Sequence, residues 1–331
     1  MPPLVFEPHY WNRVWGGRSL HTQFGRRIPD GLVGESWEVS THPNHLSRVA
    51  EGRLAGHLLI DLWNQHRAEL AGSQAAHADR FPLLVKLLDC QQPLSVQVHP
   101  NSACAARLCP HETGKSEAWV VLAAPPEARL LAGLKTGVTQ ADVLAALNDG
   151  TLATCLQELR PNVGDCIAIP PGVPHALLGP LVLLEVQPTS DATFRLFDWN
   201  RVDLNGQPRK LHIDESLAAM DWNCGPISAA TPTPLAQSNQ TDGPNKSTRL
   251  LTSPDFRIDR HVGTSSFPVP YFNEMSVWLI VSGRATLCDA TGYARSFVAG
   301  ETVLVPAAHE RCQWVMSESC EFIAALPPAA N

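Results

Sequence analysis

The sequence lacks any apolar run approaching the roughly 20 residues that a membrane-spanning helix needs. Its nine cysteines are scattered singly, and none forms a Cys-x-x-Cys pair. An odd, unclustered set argues against a zinc knuckle or a disulfide framework, so buried free thiols are expected. Positive charge is also scarce: 25 Lys+Arg against 32 Asp+Glu give a formal charge of -7. Nucleic-acid and membrane-surface binders want a basic face, so neither partner is expected. A small anionic ligand stays open, because a few local cations suffice for one phosphate. The opening Met1-Pro-Pro-Leu-Val lacks the basic segment and apolar core of a secretory signal, which predicts a cytoplasmic protein.

What is present is a soluble globular balance, 44% hydrophobic and 17% charged, in 331 residues, enough for two modest domains. Helical spacing of Leu58, Leu59, Leu62, Trp63 and Leu70 predicts one or two helices over 55–77. Strands are expected at 81–89 and 93–99, then a short helix capped by Asn101. A strand at 117–123 is expected to pair with one at 128–133. Residues 139–160 read as helical, capped at Thr139 and Thr151 and broken at Asn148-Asp149-Gly150. Short strands follow at 165–169, 176–178, 181–187 and 193–197. Residues 224–248, rich in Pro, Ser, Thr, Asn and Gln, read as a linker or long loop. Beyond it, short strands resume at 256–262, 275–282, 284–289, 302–305 and 320–325. Many short strands divided by turn residues predict a mainly β chain of sandwiches or barrels, with helices inserted in its N-terminal half.

Gly164-Asp-Cys-Ile-Ala-Ile-Pro170 is echoed by Gly300-Glu-Thr-Val-Leu-Val-Pro306, which predicts two related β-barrels, one in each half. The first copy continues as Gly164-(x5)-Pro170-x-Gly172-x-x-His175, in which Pro170 and Gly172 are expected to shape a tight hairpin that turns His175 into its barrel. This spacing resembles the second motif of the cupin superfamily and suggests a metal ligand. Gln97 and His99, two apart on a strand, share a face, and Glu117 opens the strand after the next helix. Gln97, His99, Glu117 and His175 form a mixed N/O set without thiolate, which suits Zn²⁺, with Fe²⁺ or Mn²⁺ also compatible. The second copy has Pro306-Ala-Ala-His309, without the glycine. Its barrel is expected to hold no metal, and His309 to be structural or on the surface.

Lys86-(x6)-Pro93-Leu-Ser95-Val-Gln97-Val-His99-Pro100, Gly114-Lys115-Ser-Glu117-Ala-Trp119, Glu185-Val-Gln187, Ser190-Asp191-(x3)-Arg195 and Arg209-Lys-Leu-His212 occur in that order. Together these segments resemble the type I phosphomannose isomerases, most nearly their shorter bacterial form, from Trp15 to about Trp222. The resemblance implies a catalytic cupin domain over 1–223, the 224–248 linker and a C-terminal cupin-like barrel over 249–331. It implies one Zn²⁺ per chain and reversible aldose–ketose isomerisation between mannose 6-phosphate and fructose 6-phosphate. Such a reaction moves a proton between C1 and C2 through an enediol or enediolate, so it needs a base and positive charge near those carbons.

By the resemblance, Arg195 is the active-site arginine, Glu185 an acid/base candidate, and Lys115 an aid to proton transfer or sugar binding. Lys86, Ser95, Asp191 and Arg201 are assigned to substrate or phosphate. Lys86 in Leu84-Val-Lys-Leu-Leu otherwise reads as a lysine snorkelling to solvent, and Arg195 as an ion-pair partner of Asp191 or Asp198. Two rival functions use the same residues: an Fe²⁺ dioxygenase and a non-catalytic sugar-phosphate-binding protein. A monomer or small homo-oligomer is expected.

Overall fold

The structure, a computed structural model, describes residues 1–75, 78–202, 205–235, 243–309 and 311–329, with the backbone alone for 73–75. His77 and the middle of the 224–248 stretch lie outside the described residues.

The strand Leu181–Gln187 is buried along its whole length, and its alternation explains the layering. Successive side chains of a strand point to opposite faces. Leu181 and Leu183 join one apolar core, whereas Val182, Leu184 and Val186 join another. The neighbouring strand Leu84–Cys90 does the same, with Val85 and Leu87 in the second core and Leu88 and Cys90 in the first. A sheet built from such strands must be covered on both sides.

That sheet has six strands, in the order His9–Gly17, Val33–Val39, Leu84–Cys90, Leu181–Gln187, Glu117–Ala123 and Cys166–Ile169, all antiparallel to their neighbours. One face packs on a five-stranded sheet ordered Phe194–Phe197, Val96–Val98, His175–Gly179, Arg129–Leu134 and Leu156–Leu159. The other packs, through a core that includes Ile258, Val277, Leu279, Ile323 and Ala325, on a second six-stranded sheet. That sheet runs Thr233–Pro234, Asn245–Thr252, Arg257–Gly263, Cys320–Leu326, Ser276–Ser282 and Thr302–Val305. A four-stranded sheet, Phe267–Pro268, Gln313–Met316, Arg284–Cys288 and Ala294–Val298, covers its far side. The helices Ser102–Leu108, Gln140–Asn148 and Ile213–Ala219 cover the outside of the five-stranded sheet.

The chain is therefore mainly β, built from two sheet pairs stacked back to back, and each sheet is open rather than hydrogen-bonded into a closed ring. The glycine–acid–strand–proline echo has a structural counterpart. Cys166–Ile169 and Thr302–Val305 are corresponding edge strands, each preceded by a glycine at positive φ, +90° at Gly164 and +85° at Gly300. Strand order repeats through both six-stranded sheets. Leu4 also bridges to Leu304, so the N-terminal residues add to the second pair's edge.

Several local expectations differ from the structure. Arg129–Leu134 pairs with His175–Gly179 and Leu156–Leu159, not with Glu117–Ala123, because its apolar side chains fill the opposite sheet of the pair. Residues 139–160 are not helical throughout. Thr139 and Asp142 form a capping box on Gln140–Asn148, but Thr151 caps nothing with its side chain and Leu156–Leu159 is a strand. Residues 170–174 do not form a hairpin, since Cys166–Ile169 and His175–Gly179 lie in different sheets and the segment crosses between them. The helix Leu59–Ala75, interrupted at His66 and Gly72, agrees with the one or two helices expected there. Asn245–Thr252 is a strand that begins inside the stretch read as a linker. Asn101 does cap its helix, accepting from the Cys104 amide at 2.9 Å. All nine cysteines are free.

His261 lies inside the second sheet pair, stacked on Phe267 and Trp278 and hydrogen-bonded to Ser247 and to Tyr271, which donates to Asp259. Burial pulls its pKa down to about 4. Unfolded chains take up that proton near the ordinary histidine value, so stability contributed by neutral His261 is present above about pH 6.5 and falls as pH drops toward about 4. Denaturant titrations across this window should show a loss of up to about 1.4 kcal/mol per pH unit from this one site, and His261→Gln should flatten the slope.

Candidate active site

The site forms where the first sheet pair leaves its interior unfilled. Across the six-stranded sheet, Trp37, Lys86, Glu185, Trp119 and Ile167 are register partners on adjacent strands. Across the five-stranded sheet, the corresponding row is Arg195, Gln97, His175 and Ala132. Partners in register share a face, and residues of both rows line one cavity of about 550 Å³.

At its floor lie His99, Glu117 and His175, all buried. Among the described residues, no other group of three His, Cys, Asp or Glu has its ligand atoms this close, within 4.8 Å of one another. Each imidazole is oriented by a backbone carbonyl: His99 Nδ1 donates to Ala192 at 2.9 Å and His175 Nδ1 to Val173 at 2.9 Å. A carbonyl only accepts, so both rings carry their proton on Nδ1 and present an Nε2 lone pair. Those lone pairs face Glu117 oxygens at 3.1 and 3.3 Å. His99 Nε2 is buried and makes no hydrogen bond there. Burial, with Lys115 nearby, pulls the His99 pKa down to about 3, so the ring is neutral at physiological pH. Two lone pairs against a buried carboxylate repel unless a cation sits among them. These three residues fit a divalent metal.

Burial works against ionisation of Glu117, but Lys115, whose Nζ lies 2.9 Å away, and His99 hold its pKa well below the usual carboxylate range. Gln97 donates to Ser95 Oγ at 3.1 Å, leaving its carbonyl oxygen as the atom with ligand chemistry. The local sequence explains the arrangement. Gly172, at φ +85°, donates to His99 O at 2.8 Å, and a Cβ there would meet the Asp221 backbone nitrogen at 2.8 Å. A glycine is needed for the crossing segment to approach this closely.

On the facing wall, Lys86 lies 3.0 Å from Glu185 and 4.9 Å from the Trp37 ring centroid, while Trp119 donates to Glu185 at 3.1 Å. Burial alone would depress the Lys86 pKa, but Glu185, Glu35 and Asp191 raise it above the ordinary lysine value. Glu35 in turn holds Arg13 at 2.7 Å.

Sequence and structure comparisons converge. The sequence model for the phosphomannose isomerase type I catalytic domain matches residues 4–119. The mannose-6-phosphate isomerase of Streptococcus mutans is 34% identical over 258 residues, 77% of each chain. The mannose-6-phosphate isomerase ManA of Bacillus subtilis is 36% identical over 219 residues, 66% of this chain and 68% of the relative. The crystal structure of the mannose 6-phosphate isomerase from Bacillus subtilis superposes with a TM-score of 0.89 at 26% identity, over 98% of this chain and 99% of that one. The chain belongs to the type I phosphomannose isomerase family.

In this phosphomannose isomerase, Lys86, Ser95, Gln97, Lys115, Glu117, His175, Glu185, Asp191 and Arg195 line the one cavity, and His99 adjoins it beside Glu117. Arg201 lies outside it. Its Nε donates to Asp198 at 2.9 Å and its Nη1 to the Pro93 carbonyl. Arg195 pairs with neither Asp191 nor Asp198. Its Nη1 donates to Lys210 O at 2.9 Å, and its buried Nε has no partner. Burial and the neighbouring Arg209 lower its pKa, though a guanidinium remains charged. Arg209, Arg13 and Glu35 also line the cavity and were missed as site residues. Arg209 stood in a quoted motif; for Arg13 and Glu35 only the apolar setting of a charge was available as a signal.

In the second sheet pair, Ser276 is the register equivalent of Glu117: each opens its strand opposite the last residue of the edge strand. Trp278, Phe297, Trp314 and Phe322 fill the interior there. His309 makes structural contacts, with Nε2 3.1 Å from the Tyr271 carbonyl.

His175→Ala removes one of two imidazoles from the floor of the cavity. Metal stoichiometry, measured by elemental analysis after dialysis against trace zinc, should fall clearly below that of the unaltered protein. Full retention would remove His175 from the metal-binding set.

Proposed function

We propose that the protein interconverts mannose 6-phosphate and fructose 6-phosphate through an enediol or enediolate, using one Zn²⁺ per chain. The observation that carries this reading is the buried His99–Glu117–His175 group with Lys115 at the floor of a cavity whose walls hold Lys86, Glu185 and Arg195. Gln97 would complete a mixed N/O ligand set without thiolate, the chemistry zinc accepts at catalytic sites. Bound there, the ion supplies positive charge that polarises sugar oxygens.

The chain's own residues take the remaining roles. Glu185, held between Lys86 and Trp119, is the carboxylate assigned to carry the proton between C1 and C2. Lys115 donates a hydrogen bond at the reacting end. Arg195, one strand from Gln97, stabilises the developing oxyanion with a charge it cannot lose. Ser95 and Asp191 meet sugar hydroxyls, and Lys86 keeps Glu185 anionic until substrate displaces their contact. Arg201, bonded to Asp198 outside the cavity, contributes charge rather than contact.

The repeated strand order supports reading the two sheet pairs as cupin jelly rolls, the first with helical insertions. On this reading residues 1–223 are the catalytic domain, 224–248 a connection whose last residues already enter a strand of the second roll, and 249–331 that metal-free second roll. A cytoplasmic monomer or small homo-oligomer agrees with the charge and composition. No helix among the described residues is long and apolar enough to cross a membrane.

The deciding experiment is conversion of mannose 6-phosphate by purified protein, before and after chelation, with zinc added back. Activity should vanish with chelator and return with zinc; a folded, metal-loaded protein without turnover would sink the assignment. Arg195→Ala should keep its zinc and lose about two orders of magnitude in kcat, as for loss of an oxyanion donor. Unchanged turnover would remove Arg195 from the reacting end.

A further inference from the structure

Apart from Lys115 and Glu117 at the metal-binding floor, the charges in and beside the cavity fall into two groups among the described residues. On the six-stranded sheet, Lys86 meets Glu185 and Arg13 meets Glu35, with the Asp191 carboxylate also acting on Lys86. At the edge of the five-stranded sheet, two guanidiniums (Arg201, Arg209) share one carboxylate, Asp198, and a third, Arg195, stands nearby. Arg201 lies at 2.9 Å and Arg209 at 2.6 Å from it, while Arg195 has no ion-pair partner among the described residues. Among the described residues, these three guanidiniums have a single ion-paired carboxylate between them, which leaves a surplus of positive charge. A phosphate monoester carries close to two negative charges near neutral pH.

Arg209 is the member of this group built for recognition. Its Nε and Nη2 donate to the two oxygens of buried Asp198 at 2.7 and 2.6 Å, which fixes the plane of the guanidinium. Its Nη1 has no hydrogen-bond partner among the described residues, and the side chain lines the cavity. The order of groups across the sheet gives direction. His175, Gln97 and Arg195 are register partners on successive strands, and strands lie about 4.8 Å apart. Phe194–Phe197, which carries Arg195, is the edge strand. The segment with Arg209 runs along its outer side, where His212 donates to Arg195 O at 2.8 Å. Arg209 is thus carried by a segment on the far side of the edge strand from His175, as the phosphate of an open-chain hexose 6-phosphate is at the far end from C1 and C2.

We propose that Arg209, fixed by Asp198, is the phosphate-recognising residue of this cavity, so that the sugar lies with C1 and C2 toward His175 and Gln97 and its phosphate toward the edge strand. The proposal deepens the isomerase reading and rests on it for the sugar. The phosphate contact can be measured without turnover. Metal-loaded protein is titrated calorimetrically with an acyclic hexitol 6-phosphate and with the parent hexitol. Arg209→Gln should weaken binding of the phosphate ester by about ten- to hundredfold, as for a lost charge-assisted hydrogen bond, and leave hexitol binding unmoved. Arg209→Lys, which keeps charge but not the planar fork, should fall between. In turnover, Arg209→Gln should raise KM for mannose 6-phosphate by more than it lowers kcat. Equal weakening of ester and hexitol, or no weakening in a folded Arg209→Gln variant, would overturn the proposal. Failure of the unaltered protein to isomerise while it still binds the ester through Arg209 would refute the isomerase reading alone.

Discussion

Lys86 and Glu185 stand opposite each other on adjacent strands, 3.0 Å apart, in a sheet whose other face is closed against a second sheet. A shift of one residue in that register would turn both charges into the apolar core between the two six-stranded sheets. There each would be a buried ion without water, at a cost of several kcal/mol. The pair therefore ties the register of the central strands to the position of the site. Once Lys86 and Glu185 face the cavity, the same alternation turns Glu117 and Trp119 inward from the neighbouring strand, and Val120 toward the other core.

The metal-binding floor depends on the opposite sheet in a different way. His99 and His175 are held by single hydrogen bonds to backbone carbonyls, and those carbonyls belong to connecting segments rather than strands. Ala192 is positioned by a small network in which Glu112 accepts from Ser190 and from the Asp191 amide and meets His42 at 2.9 Å. Connections between sheets are where function concentrates in such architectures, because rigid strands fix their ends while their side chains remain free to converge.

Comparison of the two sheet pairs shows how one topology supports two outcomes. The strand order repeats, yet Ser276 replaces Glu117, and four large aromatics occupy the interior that the first pair leaves open. Ser276 accepts from Trp278, and packed rings fill the second interior, although the Trp314 indole nitrogen is buried there without a partner among the described residues. The first leaves an arginine nitrogen and a histidine nitrogen buried without partners. Unmet polar atoms cost free energy, and those beside the open cavity are available to a ligand.

Much of this was legible in the sequence. The strands at 181–187 and 117–123, the Asn101 cap, the Gly164–Pro170 echo and the candidate ligands follow from local chemistry and short-range spacing. Side-chain period and turn residues are properties of a few consecutive residues, and these the sequence carries by itself. It could not say that Arg129–Leu134 belongs to the opposite sheet, or that residues 170–174 cross between sheets instead of turning a hairpin. Nor could it say that Asp198 holds Arg201 away from the cavity and Arg209 against it. Those outcomes depend on which strands become neighbours and which carboxylate is shared. Partners far apart in sequence compete for the same position, and only packing of the whole chain resolves that competition.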